Sequence, residues 1–288
     1  MVINVQNLVK RYGNLLALDH FSLQIEEGEV FGLLGPNGSG KTTAINCILS
    51  LLKYDKGTIE IFGKPMRPDA YSIKQDIGIV MQNVAVFQEM SVQENIDYFC
   101  GLYVKDRQKR RELVEEAIEF VGLQDFRKFH PKKLSGGLLR RLNIACGIAH
   151  KPRLIILDEP TVAVDPQSRN SILEGILKLN KQGATIVYTS HYMEEVEQIC
   201  SRIVIMDKGK TLATGTKEQL EAVKHLPHVT GAEYDGTRLT VHCSGGAHNL
   251  IRLLDSLREQ ELSFGRVYAE PPTLNDVFLE ITGKHLRD

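Results

Sequence analysis

The nine residues Gly35–Thr43, GPNGSGKTT, constrain the fold of this chain more than any other stretch, because they match the pattern GxxxxGK[ST]. They follow VFGLL, a continuous apolar run typical of a buried strand, and they precede a predicted helix from Lys41 to Leu52. Glycines let backbone N–H groups converge on phosphate oxygens, and a helix N-terminus adds a favourable field for anions. The pattern therefore predicts a phosphate-binding loop between a strand and a helix of an α/β fold.

The side chains of this loop predict how a nucleoside triphosphate is held. We expect Lys41 to reach the β- and γ-phosphates, Thr42 to bind Mg²⁺ through its hydroxyl, and Thr43 to contact the α-phosphate. The residues that complete the predicted binding loop are Gly35, Pro36, Asn37, Gly38, Ser39 and Gly40. Such a loop is typical of the phosphate-loop (P-loop) NTPases.

Two acidic residues end another apolar run, LIILDEPT. Asp158 is expected to hold Mg²⁺ through water, opposite Thr42. Glu159 stands one residue further on and faces a different direction, which suits a base that orients or deprotonates an attacking water. A solvated acidic pair at a strand end is the alternative, and the phosphate loop in the same chain favours hydrolysis.

The order of the apolar patterns predicts the domain organisation. Short strands alternate with helices in the first part of the chain and again after about residue 150, which implies a mostly parallel sheet with helices on its faces. Residues 84–150 are amphipathic without a strong strand, and predict a helical insertion subdomain. We predict a nucleotide-binding domain over residues 1–223 and a small α+β accessory domain over residues 224–288.

Composition and charge exclude several classes of function. The net charge of −1 lacks the basic excess of a non-specific nucleic-acid binder, so no nucleic-acid partner is expected. A secretory signal and a run of about 18 apolar residues are both missing, so we expect this chain not to span a membrane. The five cysteines form no CxxC pair and are interpreted as small buried hydrophobes, as in a reducing cytoplasm.

A third motif, LSGGLLRRL at Leu134–Leu142, places Ser-Gly-Gly at the start of a predicted helix, where a hydroxyl and free N–H groups form a second anion site. Together with GPNGSGKTT and LIILDEPT as Walker A and Walker B motifs, it resembles the signature of the ATP-binding cassette (ABC) family, over about residues 2–220. The resemblance implies that Ser135, Gly136 and Gly137 grip the γ-phosphate of ATP held by a second subunit. Two copies, expected to form a homodimer, would then sandwich two ATP molecules.

The resemblance implies roles for four further positions. Tyr12 matches the aromatic residue that stacks on adenine. Gln82 matches the glutamine that touches Mg²⁺ or the attacking water and reports the γ-phosphate to the helical insertion. Asp165, in VAVDPQ, is expected near the partner subunit and its nucleotide, and His191, in YTSHYMEE, is expected to hydrogen-bond the γ-phosphate.

Some positions depart from the family pattern or carry no predicted ligand. Leu138 stands where the family usually has glutamine, and we expect this to tune affinity or closure while the Ser-Gly-Gly anion site is kept. Ala163 stands where some relatives carry glycine. Arg140 and Arg141 are interpreted as a solvated basic face rather than as ligand-binding residues.

Two segments indicate which process ATP hydrolysis by this chain is expected to drive. TLNDVFLEITGKHLRD and PTVAVDPQSRNSILEGI resemble subunits of drug- and antibiotic-resistance exporters of the daunorubicin and linearmycin types. The resemblance implies export of an amphiphilic drug or lipid-like molecule through a separate transmembrane permease, with this chain peripheral on the cytoplasmic face of the membrane. Phe87 and Met90 are either contacts for such a permease or core residues.

Two other functions remain open at this point. A sodium-exporting subunit would have much the same sequence features. A soluble ABC-type ATPase acting on ribosomes or DNA would usually need two cassettes in one chain or long coiled coils, and neither pattern is found. The exporter subunit is the favoured hypothesis.

Overall fold

The computed structural model describes residues 1–216, 229–234, 239–243, 253–255, 258–259 and 263–264. The strands are β1 (Ile3–Tyr12), β2 (Leu15–Ile25), β3 (Val30–Leu34), β4 (Lys56–Ile61), β5 (Lys64–Pro65), β6 (Ile77–Val80), β7 (Leu154–Asp158), β8 (Thr185–Ser190), β9 (Arg202–Asp207), β10 (Lys210–Thr216), β11 (Val229–Tyr234), β12 (Leu239–Cys243) and β13 (Ser263–Phe264). The helices are α1 (Lys41–Ile48), α2 (Tyr71–Lys74), α3 (Val92–Gly101), α4 (Arg107–Phe120), α5 (Gly136–Ile148), α6 (Pro166–Lys181) and α7 (Met193–Ile199), with 3₁₀ turns at Gln124–Phe126 and Pro131–Lys133. This mixture confirms the predicted α/β class.

A seven-stranded sheet, in the order β13-β10-β9-β3-β8-β7-β6, forms the centre of the described structure. Its strands from β9 to β6 are parallel, as the alternation of strands and helices predicted. Every residue of β3, β7 and β8 is buried, because a parallel sheet is covered on both faces. The carboxyl ends of these strands meet at one edge, so the loops that follow them are neighbours.

The first strands form a separate antiparallel sheet, in the order β2-β1-β4-β5. The two residues Gly13 and Asn14 join β1 to β2, and so short a connection dictates antiparallel pairing. The sequence predicted these strands from their alternating polarity, but not their separation from the parallel sheet. Alternation reports that one face is exposed, and it does not identify the neighbouring strand.

Two hydrophobic clusters fill the two faces of the central sheet. Along β3, Val30 and Leu34 belong to one cluster, and Phe31 and Leu33 belong to the other, as the alternation of side chains along a strand requires. The first cluster continues into α3, α4 and α5, whereas the second continues into α1 and the antiparallel sheet. The sheet is therefore the layer that joins the helical region to the N-terminal strands.

Between Val92 and Ile148 the structure contains helices and no strand. Ser91 starts α3 with a capping box, in which its hydroxyl accepts from the N–H of Glu94 and the Glu94 carboxylate accepts from the N–H of Ser91. These helices lie within residues 84–150, and the division of the chain into domains stays a prediction. Across the described parts of the chain, no helix is long and apolar enough to cross a bilayer.

Helix α1 is shorter than predicted and ends at Ile48 rather than Leu52. Ser50 has a φ of 52°, in the left-handed region that a right-handed helix excludes. The buried environment predicted for cysteines is confirmed at four positions, Cys47, Cys100, Cys146 and Cys200. Burial raises the pKa of the Cys47 thiol to about 11, so it stays protonated at neutral pH.

Most of the predicted accessory domain, residues 224–288, lies outside the described residues. Of the parts that are described, β11 and β12 form an antiparallel pair. The short strand β13 pairs with β10, at the edge of the central sheet.

Candidate active site

Four parallel strands bring the residues predicted from the sequence to one edge of the central sheet. β3 leads into the loop Gly35–Gly40, and β6 is followed by Gln82. β7 ends at Asp158, directly before Glu159, and β8 is followed by His191. Residues that are distant in the sequence therefore meet at the start of α1.

The loop needs glycine at the positions where the backbone turns most sharply. Gly38 and Gly40 have φ values of 82° and 108°, which other residues rarely adopt. A Cβ atom at Gly35 would clash with the carbonyl oxygen of Met206, so a side chain there would displace the loop from the sheet. The pattern GxxxxG is thus explained by backbone geometry and close packing.

Lys41, the first residue of α1, is buried and points back over the loop. Its ammonium group donates to the carbonyl oxygens of Gly35 at 2.7 Å and Pro36 at 3.2 Å. The same Nζ atom lies 3.4 Å from Oε1 of Glu159. The predicted phosphate-binding lysine and the predicted base are therefore direct neighbours. Thr43 follows in the first turn of α1.

Oxygen donors gather where α1 begins and β7 ends. Oγ1 of Thr42 donates to Oδ2 of Asp158 at 2.9 Å, and Oγ1 of Thr189 donates to Oδ1 of the same carboxylate at 2.6 Å. Hydroxyl and carboxylate oxygens are ligands that Mg²⁺ prefers, and one carboxylate leaves its other coordination positions to phosphate and water. This donor set fits Mg²⁺ bound together with a nucleotide.

Glu159 has a backbone conformation that is unusual for its residue type. Its φ is 46°, in the left-handed region, which costs a non-glycine residue about 1–2 kcal/mol. Its N–H donates to Oγ1 of Thr189 at 2.9 Å, and its Oε2 accepts from Nε2 of Gln82 at 3.1 Å. Nδ1 of His191 lies 3.4 Å from the same oxygen, close enough for an ion pair but not aligned as a hydrogen bond. The carboxylate therefore connects Gln82, Lys41 and His191.

The Ser-Gly-Gly segment lies elsewhere in the chain. Ser135 is the N-cap of α5, and its Oγ accepts from the N–H of Leu138 at 3.3 Å. A Cβ at Gly137 would clash with the side chain of Ser168, so the glycine lets α5 pack against the start of α6. Ser135 and Gly136 are exposed to solvent. The structure thus does not bring this segment into the network around Lys41 and Glu159.

Asp165 and Tyr12 are the two remaining predicted positions. Asp165 caps α6, since its Oδ1 accepts from the N–H of Ser168 at 2.9 Å, and this hydrogen bond lowers the pKa of the carboxyl. Tyr12, at the end of β1, is 48% exposed, with the Lys10 ammonium 5.0 Å from its ring centre. Ala163 has a φ of 60°, which gives a physical reason why glycine would suit that position.

The interpretation of Arg140 as part of a solvated face was wrong. Its side chain is 4% exposed, and its guanidinium donates to main-chain carbonyl oxygens of the loops that carry Gln82 and Glu159. Helical spacing could have revealed this, because Arg140 follows Gly137 by three residues and precedes Ile144 by four, and both neighbours are buried. Arg141 is half-buried.

A second buried charge, Glu195 in α7, was also missed. Its Oε2 accepts from the hydroxyl groups of Thr161, Tyr188 and Ser190 at 2.7–2.9 Å, and its Oε1 lies 3.3 Å from Nε of Arg169. Burial, followed by the Glu195 charge, raises the pKa of Tyr188, so its hydroxyl stays a donor. Tyr188 and Ser190 lie in β8, directly before α7, whereas Thr161 lies in the loop after β7, and no recognised motif indicated that they meet.

Comparison with known proteins decides the family. The ABC transporter family model matches residues 18–162, about half of the chain. The linearmycin resistance ATP-binding protein of Bacillus subtilis (strain 168) is 36% identical over 100% of both proteins. The chain belongs to the ABC transporter family.

Two other relatives indicate which type of ABC subunit this chain resembles. The daunorubicin resistance ATP-binding protein of Streptomyces coeruleorubidus is 32% identical, over 99% of this chain and 97% of that protein. The Nod factor export ATP-binding protein I of Sinorhizobium fredii (strain NBRC 101917 / NGR234) is 33% identical, over 100% of this chain and 88% of that protein. The resemblance to resistance-type ATP-binding subunits is confirmed.

A solved structure connects the fold to the reaction. A dimeric ATP-binding cassette in a post-hydrolysis state with ADP and Pi matches with a TM-score of 0.68 at 27% identity, over 74% of this chain and 98% of that one. The ABC subunit is therefore an ATP-binding, ATP-hydrolysing enzyme with the P-loop fold, which confirms the predicted reaction.

Proposed function

We propose that this ABC subunit closes with a second copy around two ATP molecules and powers export through a separate transmembrane permease, at the cytoplasmic face of the membrane. The observation that carries the proposal is the division of the site between two regions. Lys41, Asp158 and Glu159 meet in one network, whereas the exposed anion site at Ser135–Gly136 is held apart from it. A segment that can bind anions and faces solvent fits the nucleotide of another subunit.

The reaction proposed for the network is attack of water on the γ-phosphate of ATP. Glu159 accepts a proton from the water while the bond to the β–γ bridging oxygen breaks, which gives ADP and phosphate. Lys41 donates to the β- and γ-phosphates, and His191 donates to the γ-phosphate. Gln82, whose amide lies 3.1 Å from Glu159, holds the water beside that carboxylate.

The remaining loop residues bind rather than react. The N–H groups of the Gly35–Gly40 loop and the hydroxyl of Thr43 hold phosphate oxygens, and Tyr12 stacks on adenine through its exposed ring. Thr42 and Asp158 hold Mg²⁺, which neutralises phosphate charge when bound.

The second copy supplies what the first lacks. We assign Ser135, Gly136 and Gly137 to the γ-phosphate bound by the other copy, with Asp165 beside the same interface. Asp165 and the signature segment lie together, since a Cβ at Gly137 would stand 3.2 Å from Oδ2 of Asp165. One surface of the chain therefore offers both groups to a partner.

The proposed cargo is a drug, an antibiotic or a lipid-like compound. The named relatives are a linearmycin resistance, a daunorubicin resistance and a Nod factor export ATP-binding protein, and all three match over nearly the whole of this chain. We assign the path of this compound across the membrane to the separate permease.

An aromatic cluster beside the Gln82 loop supports a place for that permease. Phe87 is 41% exposed, and its ring centre lies 4.9 Å from that of Tyr98 and 5.9 Å from that of Phe99. Its N–H donates at 2.7 Å to Oδ1 of the fully buried Asn95, which fixes the loop. Phe87 thus packs on α3 and still presents an apolar edge, as a contact for another protein requires. Met90 is only half-buried.

Co-purification from solubilised native membranes tests this proposal. The wild-type subunit is expected to retain one hydrophobic permease, and Phe87→Ala is expected to lose most of it while its ATP affinity is unchanged. Tyr71→Ala is the matched control, because Tyr71 is 76% exposed on α2, whose Ile73 packs in the other hydrophobic cluster. Recovery of ribosomes or DNA without a permease would contradict the export function.

A further inference from the structure

Arg140 occupies a position in which each of its N–H groups has an acceptor. A guanidinium has five N–H donors in one plane. In this structure they are accepted at 2.7–3.2 Å by the main-chain carbonyl oxygens of Met81, Gln82, Asp158, Glu159 and Pro160. The side chain therefore binds the backbones of two separate loops at the same time.

The two loops held by Arg140 carry the groups that act together on the attacking water. Gln82 belongs to one loop and Glu159 to the other, and their side chains are themselves hydrogen-bonded at 3.1 Å. The left-handed backbone of Glu159 persists only where surrounding contacts determine it, and Arg140 donates to its carbonyl oxygen and to those of both neighbours. Arg140 thereby fixes the distance between the two loops.

The same side chain is attached to the helix that carries the signature segment. Arg140 follows the N-cap Ser135 by five residues, which is about 7.5 Å along the axis of α5. A small shift of α5 when Ser135–Gly137 is engaged would move the guanidinium, and with it both loops. Lysine cannot replace it, because an ammonium group has three donors and no fixed plane.

We propose that Arg140 is a positioning residue through which engagement of a chain's own signature helix sets the geometry of Gln82 and Glu159 in that same chain. Hydrolysis in one copy then depends on contact between its α5 and the nucleotide held by the other copy. The inference rests on the proposed function, because it requires two copies that share nucleotide.

The test compares Arg140→Lys with Arg110→Lys. Arg110 lies in α4 and donates to the carboxylate of Asp97, a contact that lysine can keep as an ion pair. Arg140→Lys is expected to lower kcat at least about 10-fold, since misplacement of about 1 Å costs up to about 100-fold. Its ATP affinity as a monomer should stay within about twofold of wild type, since Lys41 is untouched. Arg110→Lys should behave as wild type.

A second measurement separates positioning from general stability. In the Glu159→Gln background, Arg140→Lys should still form the ATP-dependent dimer at about the same ATP concentration. A parallel loss of ATP binding, dimer formation and kcat would overturn the proposal in favour of a structural role, and an unchanged kcat would overturn it outright. If the Glu159→Gln chain with Arg140 intact forms no dimer with ATP, the proposed function itself fails.

A measurement on the unsubstituted arginine covers the case in which Arg140→Lys does not fold. Amide exchange over residues 81–84 and 159–162 is followed in Glu159→Gln with ATP and Mg²⁺, with and without Ser135→Arg. Exchange should slow on ATP binding only when Ser135 is intact. Equal slowing in both proteins would contradict the coupling.

Discussion

The phosphate loop and the signature segment both place N–H groups at the start of a helix, α1 and α5, and they differ in what surrounds that start. At α1, Lys41 is buried against the carboxylate of Glu159, with the Thr42–Asp158 pair beside it. At α5, Ser135 and Gly136 are exposed. We therefore propose that the same arrangement serves chemistry at α1 and recognition of a partner at α5.

Under this proposal, a chain that contains a full set of catalytic groups still depends on a second copy. In the proposed function, the buried groups at α1 bind and cleave ATP, whereas the exposed groups at α5 engage a partner. Substitutions in the two regions should consequently separate nucleotide binding, closure and hydrolysis from one another.

The largest expected effect is at Glu159, where Glu159→Gln removes the proposed base and keeps the size of the side chain. We expect turnover to fall about 10²- to 10⁴-fold, the usual contribution of a positioned base. Closure needs only binding, so an ATP-bound dimer should accumulate and elute early in size-exclusion chromatography with ATP and Mg²⁺. Glu174→Gln, exposed on α6, is the control, and a strictly monomeric Glu159→Gln would contradict the division of roles.

The next effect is at Ser135, in the recognition region. Ser135→Arg should lower turnover about 100-fold, the magnitude of losing a pre-organised anion contact, and leave ATP binding by the monomer unchanged. Nucleotide titration and ATPase assays measure the two quantities separately. Ser171→Arg places the same side chain on the exposed face of α6 and should be neutral. Wild-type turnover in Ser135→Arg would mean that the two regions are independent.

A smaller effect is expected when the phosphate-binding site loses the positive charge of Lys41. Lys41→Ala should weaken ATP affinity about 10- to 100-fold, because hydrogen bonds to charged groups contribute about 1.5–3 kcal/mol. Isothermal titration measures this directly, with the exposed Lys53→Ala as control. An unchanged affinity would remove Lys41 from the binding site.

The smallest effect concerns Leu138, where the family usually has glutamine. Leu138→Gln should lower the ATP concentration for half-maximal turnover by about two- to tenfold, since one neutral hydrogen bond contributes about 0.5–1.5 kcal/mol. Leu138→Met keeps the apolar contact with the core cluster and should not change this concentration. A higher ATP requirement in Leu138→Gln would show that leucine suits this interface better than the amide.

Much of the site could be predicted from the sequence because its residues stand in short contiguous motifs. GPNGSGKTT and LIILDEPT each combine a strand end with the groups that follow it, so the parallel sheet brings Lys41, Asp158 and Glu159 together. Thr189 was not predicted, since its role depends on which strand lies beside β7. The local sequence shows where a strand ends, but it does not show which strand lies beside it.

Arg140 shows more clearly what the sequence cannot predict, because helical spacing could indicate its burial but not its hydrogen-bond partners. Charged residues are rarely buried unless they are paired, and here the partners are carbonyl groups, which every residue has and which no sequence pattern marks. The acceptors at Met81 and Pro160 are brought to Arg140 only by tertiary structure. Glu195 was missed for a related reason, because Thr161, in the loop after β7, and Tyr188 and Ser190, in β8, meet its carboxylate only in the folded chain.

The left-handed backbone at Glu159 also restricts which residue types this position tolerates. Valine, isoleucine and threonine are disfavoured there by sterics alone, and glycine or asparagine, which fit this backbone most easily, carry no carboxylate. In a relative that lost hydrolysis while its cassette stayed folded, these two residues would be the least strained replacements for the glutamate. Relatives in which ATP holds two copies together without being hydrolysed should therefore be sought among sequences with glycine or asparagine in place of this glutamate.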